Sequence, residues 1–392
     1  MSEYPMVSWS ERGETRSARW RSERGAPPPK RVLIGDDRMT ADAAYRHACE
    51  GTALLWRGDF QNARQLLQAL ARRIDRKPRT PRPSALSSSP AAVPAESPMI
   101  SPTDVFHLYR QAQSQRARTL GMLLIPLADD YSVPLRRAPD VRQGCMEAYG
   151  PGQERSVTSL RELLGLIGAH EWRKVGIEIP ALGGRIHPHY GVFAPVRNEY
   201  VDLVATAPLP VPGSPVAFDI GTGTGVLAAV LARRGVARIV ATEQDTRALV
   251  CARENIARLG LAGQVEVVQA DLFPEGPAAL IVCNPPWIPA RPSSPIERAI
   301  YDPESLMLRG FIGGLAAHLE PGGEGWLVLS DIAEHLGLRS RAELLAAFDA
   351  AGLRVAGRTD VRPHHPKVAD ATDPLHAARA AELTSLWRLV VR

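Results

Sequence analysis

Cysteine is scarce and scattered. Cys49, Cys145, Cys251 and Cys283 form no C-x-x-C pair, so neither a disulfide framework nor a zinc site is indicated, and reduced cytoplasm is the compartment that fits. Long apolar runs are lacking as well. The most compact, residues 120–127 (LGMLLIPL), is far too short to cross a bilayer, and nothing resembles a signal peptide, so no membrane partner is expected. Aromatic residues make up only 6% of the chain and are not interleaved with basic ones, which gives no sign of a nucleic-acid stacking surface. The formal net charge of +5 is modest. It is also uneven, because residues 72–82 (RRIDRKPRTPR) carry six basic residues against one acid. Such a run reads as a solvated helix end passing into a linker, with phosphate binding as the alternative.

A length of 392 residues is enough for two or three domains with a real core. Residues 1–35 mix arginine, glutamate, proline and glycine without apolar periodicity and are expected to be disordered. From residue 36 to 175 apolar positions recur at helical intervals: Ala44, Ala48, Leu54, Leu55, Phe60, Leu66, Leu67 and Leu70, then Val105, Leu108 and Tyr109, then residues 159–167. This predicts a mostly helical accessory domain, interrupted by a Pro/Ser-rich linker at 78–102. Residues 176–392 make up the remaining domain, with a hairpin at 175–179 and 184–187 leading into it.

The chain's most informative stretch is residues 216–287. Residues 216–220 (VAFDI) break into Gly221-Thr222-Gly223-Thr224-Gly225 and then into an apolar segment through Leu231. That is a strand, a glycine turn and a helix, which lets a ligand approach the backbone closely. The spacing is G-x-G-x-G, so the dinucleotide fingerprint G-x-G-x-x-G is missing and a nicotinamide enzyme is disfavoured. Three more buried strands follow, at 238–242, 265–268 and 279–283. They end respectively in Glu243, in Ala270-Asp271-Leu272-Phe273 and in Asn284-Pro285-Pro286-Trp287. Four strands thus carry polar groups at their C-terminal ends, where an open α/β sheet binds ligands. Glu243 and Asp271 could equally cap helices, and Asn284-Pro285-Pro286 could be a simple turn.

In this order and spacing the segment resembles the class I, Rossmann-like S-adenosylmethionine-dependent methyltransferases, in the subgroup with an N-P-P-aromatic motif. Upstream, the run from Tyr190 to Glu199 (YGVFAPVRNE) is similar to the segment preceding the core in the HemK/PrmC family of protein-glutamine N5-methyltransferases. Phe193, Pro195 and Glu199 fit that pattern, whereas Val196 stands where the family has arginine, with Arg197 one place later. Downstream, Tyr301-Asp302-Pro303-Glu304-Ser305-Leu306 and Arg309-Gly310 continue the similarity, with aspartate in place of glutamate. It covers residues 191–329.

The resemblance implies an α/β, seven-stranded methyltransferase sheet and S-adenosylmethionine as cofactor. Gly221, Thr222, Gly223 and Gly225 would form the loop on the methionine side, and Asp219 would hold that loop and the cofactor amino group. Glu243 would take the ribose, Asp271 and Leu272 the adenine, and Phe193 would neighbour the adenine or methionine. Asn284 and Pro285 would hold and orient the acceptor nitrogen, with Asn284 also bordering the cofactor and Trp287 stacking on a planar target. The acceptor would carry an amide or amino nitrogen: a protein glutamine, a small molecule or a nucleic-acid base. A catalytically silent cofactor-binding or interaction protein is the non-enzyme alternative.

No metal is expected. His187 and His189 have metal-like spacing only, without an acidic or cysteine partner nearby in sequence. Residues 358–382, with His364, His365, His376, Asp360, Asp370 and Asp373, read as a lid-like insertion over the substrate mouth.

Overall fold

The computed structural model of the chain describes residues 4–76, 100–210, 215–364 and 370–392. The chain divides into two compact units, Met1–Ser22 with Ala26–Gly165, and Glu23–Gly25 with Leu166–Arg392.

The first unit is a six-stranded mixed sheet with helices. Its strands are β1 (Met6–Glu11), β2 (Glu14–Trp20), β3 (Arg31–Gly35), β4 (Thr52–Trp56), β5 (Leu123–Leu127) and β6 (Ser156–Ser159), in the order β1-β2-β6-β5-β4-β3. Its helices include α1 (Ala41–Cys49), α2 (Phe60–Ile74), α3 (Pro102–Leu120) and α4 (Arg142–Tyr149), and α5 (Leu160–Val175) contains the boundary between the units. The expected disorder of residues 1–35 does not hold. Val7 and Trp9 alternate with exposed or half-buried neighbours on β1, Ala18 and Trp20 flank the half-buried Arg19 on β2, and all four join a core with Ala53, Leu55, Leu124 and Val157. A two-residue turn closes this hairpin, with Arg12 and Gly13 both at positive φ (56° and 81°), the geometry that suits the twist of paired strands.

Nor is the unit mostly helical. All five residues of β4 and all five of β5 are buried, and short apolar runs of that kind fit a two-sided parallel strand as well as a helix. Helical periodicity does survive in α1, capped by the Thr40 side chain, and in α2, capped by Asp59. Of the basic run at 72–82, Arg73 pairs with Asp42, and residues 77–82 lie outside the described residues. So does the expected linker at 78–102, apart from 100–102, where Ser101 caps α3.

The second unit opens with the antiparallel pair β7 (Ile177–Ile179) and β8 (Gly184–Ile186). Its main strands are β9 (Val216–Ile220), β10 (Arg238–Glu243), β11 (Val265–Gln269), β12 (Ala278–Cys283), β13 (Leu319–Ser330), β14 (Leu353–Val361) and β15 (Thr384–Val391). They form one seven-stranded sheet in the order β11-β10-β9-β12-β13-β15-β14, parallel except for β15 against its two neighbours. Successive residues feed two cores. Ala217, Leu280, Val282, Trp326 and Val328 pack on one face with α6 (Glu199–Thr206), α7 (Val226–Arg233) and α8 (Thr246–Arg258). Phe218, Ile281, Cys283, Leu327 and Leu329 pack on the other with α9 (Leu306–His318) and, beyond the short α10 (Ile332–His335), α11 (Arg341–Ala350).

The unit boundary falls ten residues before the expected 175/176. The insertion read as 358–382 begins later than expected, because Arg358–Val361 still pair with β15, and it includes α12 (His376–Ala381). His365 lies outside the described residues.

Candidate active site at the sheet's switch point

Strand order reverses between β9 and β12, which are parallel neighbours with Val282 opposite Asp219 and Cys283 opposite Ile220. A crevice outside the C-terminal ends of the strands belongs at such a reversal. Gly221 and Asn284 are the next residues on the two strands, so the glycine loop and the N-P-P-W segment leave the sheet side by side.

Gly221, Gly223 and Gly225 all have positive φ, at 68°, 57° and 83°, a region other residues enter only with strain. At Gly221 a Cβ would also lie 2.4 Å from the Met307 Cε, the flexible end of a side chain that would have to shift. At Gly223 a Cβ would meet nothing within 4 Å, and the backbone is open on that side to a close-approaching ligand.

Asp219 anchors the loop from below. Its Oδ2 accepts hydrogen bonds from the Thr222 hydroxyl (2.6 Å) and from the Ala228 N–H in the first turn of α7 (3.0 Å). One carboxylate therefore ties strand, loop and helix together. Burial pushes its pKa up to about 6, against the two hydrogen bonds, which pull it down. Thr222 is held from the other side as well, its N–H donating to the Thr242 carbonyl at 2.9 Å.

Glu243, at the end of β10, accepts the Gly223 N–H on Oε2 (3.0 Å) and the N–H groups of Gln244 and Asp245 on Oε1 (2.9 and 3.0 Å). Glu243 does not cap the following helix, since the Asp245 side chain takes the Arg247 and Ala248 N–H groups there, and its carboxylate keeps one lone pair to spare on Oε2. Asp271 is exposed and accepts from the Gln244 side chain. Leu272 adopts φ 64°, and its carbonyl accepts the Thr242 hydroxyl at 2.6 Å. The turn is seated on α9, where Gly310 and Gly314 leave room for Leu272 and Phe273, and Phe273 stacks on His318 at 4.3 Å between centroids. Phe193 is partly buried against the core that contains α6, α7 and α8.

At the end of β12 the Trp287 indole N–H donates to the Asn284 Oδ1 at 2.9 Å. Because that nitrogen can only donate, the bond fixes which end of the amide is oxygen. It also leaves Oδ1 one lone pair for a second donor. Trp287 is partly buried and packs against both cores. Ile288, next in the chain, is bonded to Ile300 and Asp302, which folds the intervening residues back. Asp302 is buried, caps α9 through the N–H groups of Met307 and Leu308 (both 3.1 Å), and has its pKa raised by burial.

Sequence reasoning missed two contributors, Met307 and Asn255, and gave Asp302 no role beyond its place in the Tyr301–Leu306 segment. Asn255 is fully buried on α8. Its Oδ1 accepts the His187 N–H (2.8 Å), while its Nδ2 donates to the carbonyls of Thr224 (3.1 Å) and His187 (3.3 Å), stapling the glycine loop to the lead-in segment. The available signal was a polar residue on the apolar stripe of Leu249, Ala252 and Ile256. His187 and His189 do not converge: His187 Nδ1 meets the Arg173 carbonyl at 2.7 Å, and His189 Nε2 meets Glu254 at 2.9 Å. Among the described residues no group of three or more His, Cys, Asp or Glu side chains is arranged to hold a metal ion, and no helix is long and apolar enough to cross a membrane.

Comparison with known proteins bears on the same unit. The family described as Methyltransferase small domain matches residues 184–351. The chain is 38% identical over 151 residues to the ribosomal protein L11 methyltransferase of Pelotomaculum thermopropionicum, covering 38% of this chain and 41% of that protein. It is 35% identical over 176 residues to the release factor glutamine methyltransferase of Cereibacter sphaeroides, covering 41% and 58%. A third relative, the tRNA1(Val) (adenine(37)-N6)-methyltransferase of Bacteroides thetaiotaomicron, is 36% identical over 127 residues, covering 30% and 54%. The chain thus spans about half the length of the curated relatives it matches. Among solved structures, a Thiobacillus denitrificans S-adenosylmethionine-dependent methyltransferase bound to S-adenosylhomocysteine aligns with 55% of this chain and 100% of its own, at 17% identity and a TM-score of 0.35. The sequence match and the strand order agree that residues 184–351 form a methyltransferase domain with a Rossmann-like α/β fold.

Proposed function

We propose that the chain is a S-adenosylmethionine-dependent N-methyltransferase whose acceptor is an amide or amino nitrogen, with a protein glutamine as first candidate. What supports this reading is the side-by-side exit of Asn284 and Gly221 from neighbouring strands. The cofactor, when bound, supplies a methyl group on a positively charged sulfur. Gly221, Thr222, Gly223 and Gly225 would hold its methionine end with Asp219, while Glu243, Asp271, Leu272 and Phe193 would hold its nucleoside.

An amide or exocyclic amino nitrogen is a poor nucleophile because its lone pair is delocalised. Two acceptors, the Asn284 Oδ1 and the Pro285 carbonyl, can hold its N–H groups and turn the lone pair toward the methyl. Proline fits because it adds an acceptor without a competing donor. Trp287 has two tasks here: its N–H holds the Asn284 amide in the accepting orientation, and its ring offers a face to a planar target. Catalysis of this kind is positioning and electrostatics, with no covalent intermediate. The release factor glutamine methyltransferases among the relatives favour an amide acceptor, and the tRNA adenine-N6 relative makes a base amino group the second reading.

The test is calorimetric titration with S-adenosylmethionine and S-adenosylhomocysteine, using NAD as control, followed by labelled-methyl transfer onto protein, RNA and small-molecule fractions. Binding of the first two but not NAD, with label on nitrogen, is expected. Binding without transfer to any fraction would favour the silent cofactor-binding alternative, and no binding would leave Glu243 and Asp219 as structural residues.

A further inference from the structure

One face of α9 touches both the glycine loop and the turn after β11. The Met307 Cε lies against Gly221, Gly310 makes room for the Leu272 side chain and Gly314 for Phe273, and the spacing 307, 310, 314 keeps these contacts on one side of the helix.

The N-terminal end of the same helix is fastened to the acceptor side by one residue. Ladder pairing of β12 ends at Cys283, so Trp287 and its neighbours are placed by whatever holds the chain beyond it. Asp302 donates its backbone N–H to the carbonyl of Ile288 (2.8 Å), the residue after Trp287, and Ile288 donates in turn to the Ile300 carbonyl (3.1 Å). The Asp302 carboxylate meanwhile accepts the Met307 N–H on Oδ1 and the Leu308 N–H on Oδ2, both at 3.1 Å. Asp302 is 5% exposed, so water competes little for those bonds.

This join is strained. Between Asp302 and α9, Glu304 and Ser305 both take positive φ, 56° and 54°, and the Ser305 N–H closes a turn on the Asp302 carbonyl at 3.0 Å. Successive residues with side chains stay in that region only where their surroundings impose it, and such strain gathers at working sites. Capping a helix does not require it. Thr40, Asp59, Asp245 and Ser340 cap their own helices from the adjacent position with extended backbone.

We propose that Asp302 is a positioning residue for methyl transfer: through α9 it holds the Asn284-Pro285-Pro286-Trp287 segment at a fixed distance from the glycine loop. This rests on the N-methyltransferase reading above and deepens it. An acceptor nitrogen must meet the methyl in line and in contact, and a misplacement of about one ångström can cost roughly 100-fold in rate.

The experiment uses the full chain and two readouts. The first needs no acceptor: the Trp287 indole N–H, identified in NMR spectra by its loss in Trp287→Phe, reports through its exchange with solvent whether the bond to Asn284 holds. With S-adenosylhomocysteine bound, Asp302→Ala is expected to exchange that proton about tenfold or more faster than wild type, the size of a lost charge-assisted hydrogen bond, while the dissociation constant changes by less than about twofold. The second readout is labelled-methyl transfer onto the fraction that wild type labels, where kcat should fall by about tenfold or more with KM for S-adenosylmethionine nearly unchanged. Asp302→Asn keeps one acceptor oxygen and should lie between Asp302→Ala and wild type in both readouts; it carries the test if the alanine variant does not fold. Ile312→Val, which loosens the buried packing of α9 away from Asp302, should move neither. Either readout unchanged in a folded Asp302 variant, an equal change in Ile312→Val, or a fall in kcat matched by weaker S-adenosylhomocysteine binding overturns the inference alone. A wild-type chain that binds S-adenosylhomocysteine and labels no fraction overturns the parent reading, and this one with it.

Discussion

Asp219→Asn tests the central contact of the site through pH. The Asp219 carboxyl is buried, and its pKa stands at about 6 against an ordinary 3.8. A group whose folded pKa is raised contributes stability that is complete below the ordinary value and is lost as pH rises through the folded one. The gap between 3.8 and about 6 corresponds to about 3 kcal/mol. Asparagine keeps the shape and one acceptor oxygen but does not titrate, so the difference between wild type and variant isolates this one group. Wild type should lose about 3 kcal/mol relative to Asp219→Asn between about pH 4 and pH 7. The assay is urea unfolding at a series of pH values, followed through the transition that S-adenosylhomocysteine shifts, since a chain of two units need not unfold in one step. If Asp219 receives the cofactor's amino group, bound cofactor favours the ionised form, and affinity for S-adenosylhomocysteine should rise with pH through about 6. A stability difference that is flat across this window, or that runs the other way, refutes the account of Asp219 as a desolvated loop anchor.

Four further substitutions probe the same site. Asn284→Ala should leave the S-adenosylhomocysteine dissociation constant unchanged while lowering methyl transfer by roughly 100-fold, as for other acceptors or donors used only in the transition state; Trp287→Phe, which keeps a ring but loses the N–H held by Asn284, should lower the turnover number by a smaller factor, and an equal loss of binding and transfer in either variant would sink these roles. Gly221→Ala should weaken cofactor binding and cost about 1–3 kcal/mol of stability, because the new Cβ meets Met307 and the residue sits at φ 68°; adding Met307→Ala should recover the steric part only, and full recovery in thermal melts would show that the backbone carries no strain. Glu243→Ala removes the acceptor of three N–H groups and should weaken S-adenosylhomocysteine binding by about 1–3 kcal/mol; an unchanged dissociation constant in titration would remove Glu243 from the cofactor site.

The second unit was legible in the sequence because its central strands are buried on both faces. Residues 279–283 therefore read as an unbroken apolar run, and 216–220 and 238–242 as largely apolar ones broken only by Asp219 and bounded by Arg238 and Thr242, each ending where its polar tip begins. Glycine spacing then located the loop, since its three positive-φ residues admit little else. The first unit was misread for the complementary reason. On β1 and β2 the apolar residues alternate with exposed arginine, glutamate and serine, so composition resembled disorder although the period was that of a strand. The four apolar residues in a row of β4 and the five of β5 fit either period, and the genuine helices α1 and α2 on either side of β4 drew it into their pattern. Partners were the least legible part. Nothing local marks Asn255 as the staple beneath Thr224, because that bond spans 31 residues and its partner contact to His187 spans 68; the Trp287 bond to Asn284 spans only three residues but depends on the side-chain rotamers, which the sequence does not give.

The carboxylate of Asp219 holds Thr222 and the first turn of α7 at once, so the loop cannot swing away without unseating a helix whose residues are buried from Val226 to Ala232. That has a consequence in time. A cradle assembled before its ligand arrives imposes no lag on capture, so the observed rate of S-adenosylhomocysteine association should climb linearly with ligand concentration and show no plateau in stopped-flow mixing. Any slow step in turnover then belongs to the acceptor side, where the chain folds back between Ile288 and Asp302, and not to the arrival of the methyl donor.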